Sequence, residues 1–182
     1  MDMIIETERL LLRPFTMDDF DIIYRLYSDE EILRYMPNDI MDEEQAQKHL
    51  ERIVSDWDEV PLVSCEMAVI LKETQEKIGR TRFHMDEETD TAMLGWLLIQ
   101  PYWGQHLATE MTRAMIDYAF DTLGVHRVSA LCNPDNIASW KVMENCGMRH
   151  EAYYRKKVRY IKHGVPSWED ELEYAILREE RQ

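Results

Sequence analysis

Cysteine is scarce in this chain of 182 residues. Cys65, Cys132 and Cys146 are odd in number and widely spaced, with no C-x-x-C and no neighbouring histidine pair, so neither a disulfide framework nor a zinc site is expected. Buried free thiols and no bound metal are the expectation. Long apolar runs are missing as well, since none approaches the roughly 20 residues of a bilayer-spanning helix. Met1 to Arg13 mixes acids and bases with short apolar runs and lacks the basic, apolar, small-residue order of a secretory leader, so we expect a cytoplasmic protein with no membrane partner. Positive charge is in deficit: 21 Lys and Arg face 36 Asp and Glu, for a formal net charge of −15. That argues against nucleic acid as a partner, because phosphate binding rests on Lys and Arg. It favours a cationic partner such as an amine by long-range attraction, or serves only to keep the protein soluble. Finally, G-x-G-x-x-G, G-K-[ST] and H-E-x-x-H are all absent, which removes specific support for dinucleotide, P-loop and zinc-protease readings.

What is present suits one globular domain, taken as residues 1–182, with 45 % hydrophobic and 10 % aromatic residues. Ile4 to Phe15, with three leucines in a row, suits a first strand. Thr16 with Asp19 three positions on marks a helix start, and Phe20, Ile23, Tyr24 and Tyr27 follow on one face. Asp42 to Gln45 repeats the signal before a helix with Ala46, Leu50, Ile53, Val54 and Trp57 at helical spacing. Met67 to Leu71 and Lys77 to His84 predict strands, and Thr91 to Ile99, ended by Pro101, predicts a buried central one. Leu107 to Leu123 has helical spacing closed by Gly124, and His126 to Leu131 reads as a short strand. Asn136 to Cys146 is a helix ended by Gly147, and Trp168 to Leu177 is the best strand of the tail. This order points to an α+β or α/β domain around one mixed sheet.

The segment from Leu94 to Glu110 is a strand, a turn and a helix. Its turn, Pro101-Tyr102-Trp103-Gly104-Gln105-His106-Leu107-Ala108-Thr109, feeds straight into a helix whose free N–H groups and positive dipole end suit a diphosphate. Many such junctions bind nothing, so the motifs around it carry more weight. Tyr102 to Glu110, then Asn133-Pro134-Asp135-Asn136-Ile137-Ala138-Ser139 and Glu144-Asn145-Cys146-Gly147-Met148, resemble the GNAT superfamily of N-acetyltransferases. Thr7-Glu8-Arg9-Leu10-Leu11-Leu12-Arg13-Pro14 at one end, with Asp170 and Tyr174 at the other, is similar to the RimJ/RimL-like branch, which acetylates N-terminal amines of ribosomal proteins.

The resemblance implies an α+β (α/β/α) GNAT fold: a mixed, mostly antiparallel sheet in which two parallel strands splay apart, with helices on both faces. It also implies acetyl-CoA as acyl donor and a primary amine, on a protein N-terminus or a small molecule, as acceptor. Relatives often pair, so a homodimer is one possibility that the resemblance leaves open. Carried over, Leu97, Leu98 and Ile99 would present backbone groups to the pantetheine arm, the amides of Gly104, Gln105, His106, Leu107, Ala108 and Thr109 would hold the pyrophosphate, and Asn133, Asn136 and Ser139 would line the arm towards sulfur.

An amine attacks a thioester only in its neutral form, so a proton acceptor is required. Negative charge then builds on the thioester oxygen, for which an amide at Leu97 or Leu98 is the candidate donor. Ser139 suits proton donation to the leaving thiolate, the role that the branch's Asn-x-x-Ser pattern implies; serine in a first helical turn also serves simply as a cap. Three departures stand out. Met143 occupies the place where the superfamily often has an acidic tyrosine, Met93-Leu94 lacks the glutamate that many relatives carry, and His106 replaces the turn's second glycine. Glu66, His84 and Asp170 are the replacement bases to weigh, each also readable as structural. If His106 keeps an ordinary helical φ, its Cβ costs little, and its imidazole either donates to a phosphate or obstructs it. The run Arg155-Lys156-Lys157-Val158-Arg159 reads as a solvated loop or as a contact for the cofactor's 3′-phosphate, and Tyr102 and Trp103 as cleft lining or core packing. A binding module or sensor that keeps the fold without transfer is the alternative to an active enzyme.

Overall fold

The computed structural model describes residues 3–58, 63–86 and 88–181. Within them, strands β1 (Ile5–Glu6), β2 (Leu10–Pro14), β3 (Ser64–Leu71), β4 (Lys77–Asp86), β5 (Thr91–Leu98), β6 (Arg127–Cys132), β7 (Arg149–Lys162) and β8 (Val165–Leu177) form one sheet. Their order is β1-β2-β3-β4-β5-β6-β8-β7. Every neighbouring pair is antiparallel except β5 with β6. The helices are α1 (Phe20–Tyr27), α2 (Glu43–Ser55), α3 (Leu107–Tyr118) and α4 (Ile137–Asn145). None is long and apolar enough to cross a membrane.

Burial explains the texture of the central strands. Cys65 to Ile70 of β3 are all buried, so the strand is apolar on both faces apart from Glu66. Glu66 and Arg80 point towards α1 and α2, where Arg52 and the Tyr27 ring meet them, whereas Cys65 points the other way, towards Tyr118 of α3. Tyr174 of β8 meets Glu144 of α4 on the α3 side. Helices therefore cover both faces, which closes the core and leaves the function to the line where β5 and β6 meet.

Local signals held where they rest on capping. Thr16 and Asp19 form a reciprocal capping box, and Asp42 accepts the Gln45 amide at 2.8 Å at the start of α2. Ile4 to Phe15 is two strands rather than one, because the Thr7 amide donates to Leu10 O at 2.9 Å and turns the chain at Thr7–Arg9. Trp57 lies in a 3₁₀ turn past α2 and donates its indole N–H to Glu66 O at 3.0 Å. The expected Leu107–Leu123 helix stays α-helical to Tyr118 and finishes as a π-turn, with Gly124 at φ 76° as its left-handed cap. Arg155 to Lys157 are not a loop. They bulge out of β7 opposite Asp170, whose Oδ1 accepts the Lys156 amide at 2.8 Å while Tyr153 holds the other oxygen. The β7–β8 hairpin then reaches across to the α1–α2 connection, where Tyr160 donates to Tyr35 O at 2.6 Å and Lys162 to Leu33 O at 2.8 Å.

Asp19 ties β2 to α1. Its buried carboxylate takes two hydrogen bonds from Arg13, at 2.7 and 2.8 Å, and one from the Thr16 amide at 2.8 Å. Burial alone would raise its pKa, but these donors and Lys77 outweigh burial and bring it down to about 2. A carboxylate whose pKa is lower in the folded state stabilises fully above its unfolded pKa, near 3.8, and loses that contribution as pH falls towards 2. Asp19→Asn should therefore cost about 2 kcal/mol at pH 7, and its gap from the parent in urea unfolding should close between about pH 4 and pH 2. A gap that persists at pH 2 would show that the loss is not electrostatic.

Candidate active site

The only parallel pair among the described strands is also the shortest contact in the middle of the sheet. β5 and β6 pair from Thr91 with Arg127 to Leu94 with Ala130, and then stop. From Gly95 onward β5 has β4 on one side and a gap on the other. The Ile99 amide donates to Ile78 O at 2.9 Å, which places Ile99, and by antiparallel alternation Leu97 and Gly95, among the residues whose backbone groups bond to β4. Trp96 and Leu98 turn theirs into the gap. This corrects the expectation for Leu97 and Ile99: of the three residues named, only Leu98 offers its backbone to the opening, and Trp96 joins it. The Leu98 carbonyl already accepts the Trp103 indole N–H at 2.6 Å, so Trp103 is neither core packing nor idle surface.

Beyond β5 the chain makes a 3₁₀ turn at Gln100–Tyr102 and enters α3 through two left-handed residues, Gly104 at φ 73° and His106 at φ 61°. His106 thus does not keep a helical φ. It occupies a glycine conformation, at a cost of roughly 1 to 2 kcal/mol for a residue with Cβ. The first helical bond runs from the Glu110 amide to His106 O at 3.0 Å, and among the described residues the amides of Gly104, Gln105, His106, Leu107, Ala108 and Thr109 take no acceptor. Successive free N–H groups with left-handed residues interspersed form an anion-binding concavity at a helix N-terminus.

That turn is pinned from the far end of the sheet. Glu110 accepts the Thr7 hydroxyl, the Arg9 amide at 2.8 Å and Arg9 Nε at 2.7 Å, and Arg9 Nη1 donates to Gln105 O at 3.1 Å. Burial works against the Glu110 carboxylate, but these donors hold its pKa below the ordinary glutamate value. Arg9 thereby neutralises a negative charge beside the anion site and fixes the loop at once. The Thr7-Glu8-Arg9 string signals this clamp in the sequence, although no role attaches to it there.

On the opposite lip, Asn133 follows β6 and its side chain accepts the Asp135 amide at 2.9 Å. Asn136 is the N-cap of α4, accepting the Ser139 amide at 3.2 Å. The cap is therefore Asn136, and the half-buried Ser139 hydroxyl takes no part in it.

The three replacement bases are not brought together. Asp170 is occupied in the β7 bulge. Glu66 is buried against Arg80 Nη1 at 3.2 Å; burial opposes its charge, but Arg80 overcomes that and its pKa is lowered. His84 is exposed and lines a shallow trough of about 780 Å3 on the α1/α2 face with Met93, Ser129, Arg127 and Glu173. Of the basic run, Lys157 is tied to Glu171 at 2.9 Å and Lys156 approaches Asp170 at 3.9 Å, so neither stands free for a 3′-phosphate. The missed residues are Trp96, Arg9, Glu110 and Arg82, whose side chain crosses Gly95. An isolated glycine within a strand was the available signal for the last of these.

Comparison with known proteins converges on one family. Residues 9–149 match the model of the acetyltransferase (GNAT) domain. The chain is 34% identical over 176 residues to the uncharacterized N-acetyltransferase YnaD of Bacillus subtilis (strain 168), covering 97% of this chain and 98% of the relative. It superposes on the crystal structure of a GNAT-family acetyltransferase from Bacillus anthracis with a TM-score of 0.85 at 30% identity, covering 97% of this chain and 99% of that one. Mycobacterium smegmatis RimJ, solved in complex with CoA-disulfide, shares the fold with a TM-score of 0.81 at 20% identity, covering 94% of this chain and 83% of that one. A strand pair that parts over a helix N-terminus, seen together with these likenesses, places the chain in the GNAT family of N-acetyltransferases.

Proposed function

We propose that this protein transfers the acetyl group of acetyl-CoA to a primary amine, on a protein N-terminus or a small molecule, by direct attack. The observation that carries this reading is the parting of β5 from β6, which opens the Trp96 and Leu98 backbone groups in line with the free amides of Gly104 to Thr109. The site fits the donor: a pantetheine arm is an extended amide chain that suits an open strand edge, and a pyrophosphate suits the amide concavity. Acetyl-CoA supplies an activated acyl group as a thioester.

The residues divide the work. The amides of Gly104 to Thr109 hold the pyrophosphate, with Arg9 offsetting the Glu110 charge beside it. The amide of Leu98 or Trp96 donates to the thioester oxygen as the amine adds, where one donor is worth roughly 3 to 4 kcal/mol. The new C–N bond replaces the C–S bond, the ammonium proton leaves to solvent through the trough lined by His84 and Glu173, and Ser139 donates to the departing sulfur. Water suffices as acceptor once the amine is neutral, which accounts for a site without a glutamate at Met93. The RimJ fold likeness supports an N-terminal amine as one acceptor class.

Incubation with acetyl-CoA and amine acceptors should release free thiol, with a rate that rises with pH until the amine, of pKa about 8 to 10, is neutral. Ser139→Ala should lower kcat by roughly 10 to 100-fold with little change in the KM for acetyl-CoA. Tight acyl-CoA binding without turnover on any amine, unchanged in Ser139→Ala, would instead identify a sensor. Because the backbone at His106 already has the glycine conformation, His106→Gly should leave coenzyme A affinity within about threefold and raise the melting temperature by a few degrees. A marked drop in affinity in a calorimetric titration would show that the imidazole itself holds phosphate.

A further inference from the structure

Where the strands part, the α1/α2 face carries a guanidinium with no counter-ion among the described residues. Glu66 of β3, Arg82 of β4 and Gly95 of β5 stand in one row across the sheet. A Cβ built on Gly95 would lie 3.3 Å from Arg82 Nε and 3.4 Å from its Cγ, so the arginine chain runs directly over the glycine. Gly95 is not among the residues with positive φ, so its backbone does not require glycine. Its missing side chain is what lets Arg82 lie there. Gly95 is also the first residue of β5 past the last pairing with β6, Leu94 with Ala130. Arg82, exposed as a residue but with a partly buried head group, thus overhangs the vertex of the opening.

The surroundings do not neutralise it. Glu66, the buried carboxylate of this face, already lies 3.2 Å from Arg80 and 3.6 Å from Arg52. Among the described residues no carboxylate comes within 4.0 Å of the Arg82 guanidinium. Burial keeps His49 neutral at pH 7, with its pKa lowered to about 4, and Tyr27 keeps its proton, with its pKa raised to about 12. Arg52 is also paired with Asp56 at 2.8 Å, so among the described residues Glu66 is the one carboxylate left to Arg80 and Arg82, on a protein whose formal charge is −15. Partial burial and the like charge of Arg80 both disfavour the Arg82 cation, and an incoming anion relieves both.

We propose that Arg82 anchors a carboxylate carried by the acyl acceptor, so that the preferred acceptors are amines with an acidic group close to the reacting nitrogen. This inference rests on the transfer reading above. Neighbouring strands lie about 4.8 Å apart, so a carboxylate held over Gly95 sits about one strand spacing from a thioester in the gap. That reach suits an α-amino acid or a peptide that begins with an acidic residue. Arg82 is a specificity residue here and takes no part in bond making.

The test is thiol release on two matched pairs, compared at equal concentrations of neutral amine: an amino acid against its carboxamide, and a C-terminally amidated peptide beginning with Asp against the same peptide beginning with Asn. At least one acid should be favoured by about tenfold or more in kcat/KM, chiefly through KM. Arg82→Gln should bring the favoured acid to within about twofold of its neutral partner, with thermal unfolding confirming the fold. Gly95→Ala, whose Cβ would press on Arg82 Nε and Cγ, should shrink the preference less than Arg82→Gln does. Preference within the first pair assigns free amino acids, and within the second acidic N-termini. Equal rates within both pairs in the unmodified protein, or a preference that survives Arg82→Gln, would overturn the proposal while leaving transfer intact. Silence on all four acceptors and on a wider amine panel would sink the transfer reading and this one with it.

Discussion

A sheet can end a strand pairing in its middle only if the backbone groups it uncovers find other partners, and the geometry of this protein follows from that constraint. β5 and β6 are parallel neighbours for four residues each, and their separation after Leu94 and Ala130 uncovers polar backbone at the centre of a well-packed molecule. Part of the need is met internally, by the Trp103 indole on Leu98 O. The rest faces an opening whose far end is a helix start with no side-chain cap. An unpaired edge beside a buried core is costly unless something occupies it, so the same feature that weakens the sheet prepares the site.

Electrostatics then decide what the opening accepts. The chain is strongly acidic, yet several of its arginines stand close to the opening or to the anion loop. Arg9 cancels Glu110 at the anion loop, Arg80 takes the buried Glu66 and Arg52 chiefly Asp56, and among the described residues Arg82 is left over at the vertex. Other cations are paired: Lys156 and Lys157 with Asp170 and Glu171, and Arg127 with Glu151 and Glu173. Net charge therefore describes the approach of a ligand over long distances, and these local groups describe its reception.

The long β7–β8 hairpin links these parts mechanically. Its bulge at Arg155–Lys157 bends the strand, and its tip holds the α1–α2 connection through Tyr160, Ile161 and Lys162. This contact joins segments more than a hundred residues apart, which is why no local pattern announces it.

Elements that rest on local chemistry were legible in the residues alone. The capping residues Thr16, Asp42 and Asn136, the stop glycines Gly124 and Gly147, and the apolar run of β5 each act within a few residues of themselves. The ordered motifs also identified the family, because the turn from Tyr102 to Glu110 and the Asn-x-x-Ser start of α4 each need their residues at fixed spacing. Backbone direction was not legible: whether Leu97 or Leu98 faces the opening depends on which residue of β4 its neighbour bonds, and a one-residue change of register exchanges them. Nor could the sequence tell that His106 is left-handed, that Thr7 and Arg9 clamp Glu110, or that Arg82 lies over Gly95. By itself the sequence determined the elements that rest on local signals and the family's chemistry, but not the split of the first strand or the bulged strand β7. Tertiary structure alone decided which charges meet and which backbone groups are left open, because both are set by pairing between strands and helices that are distant along the chain.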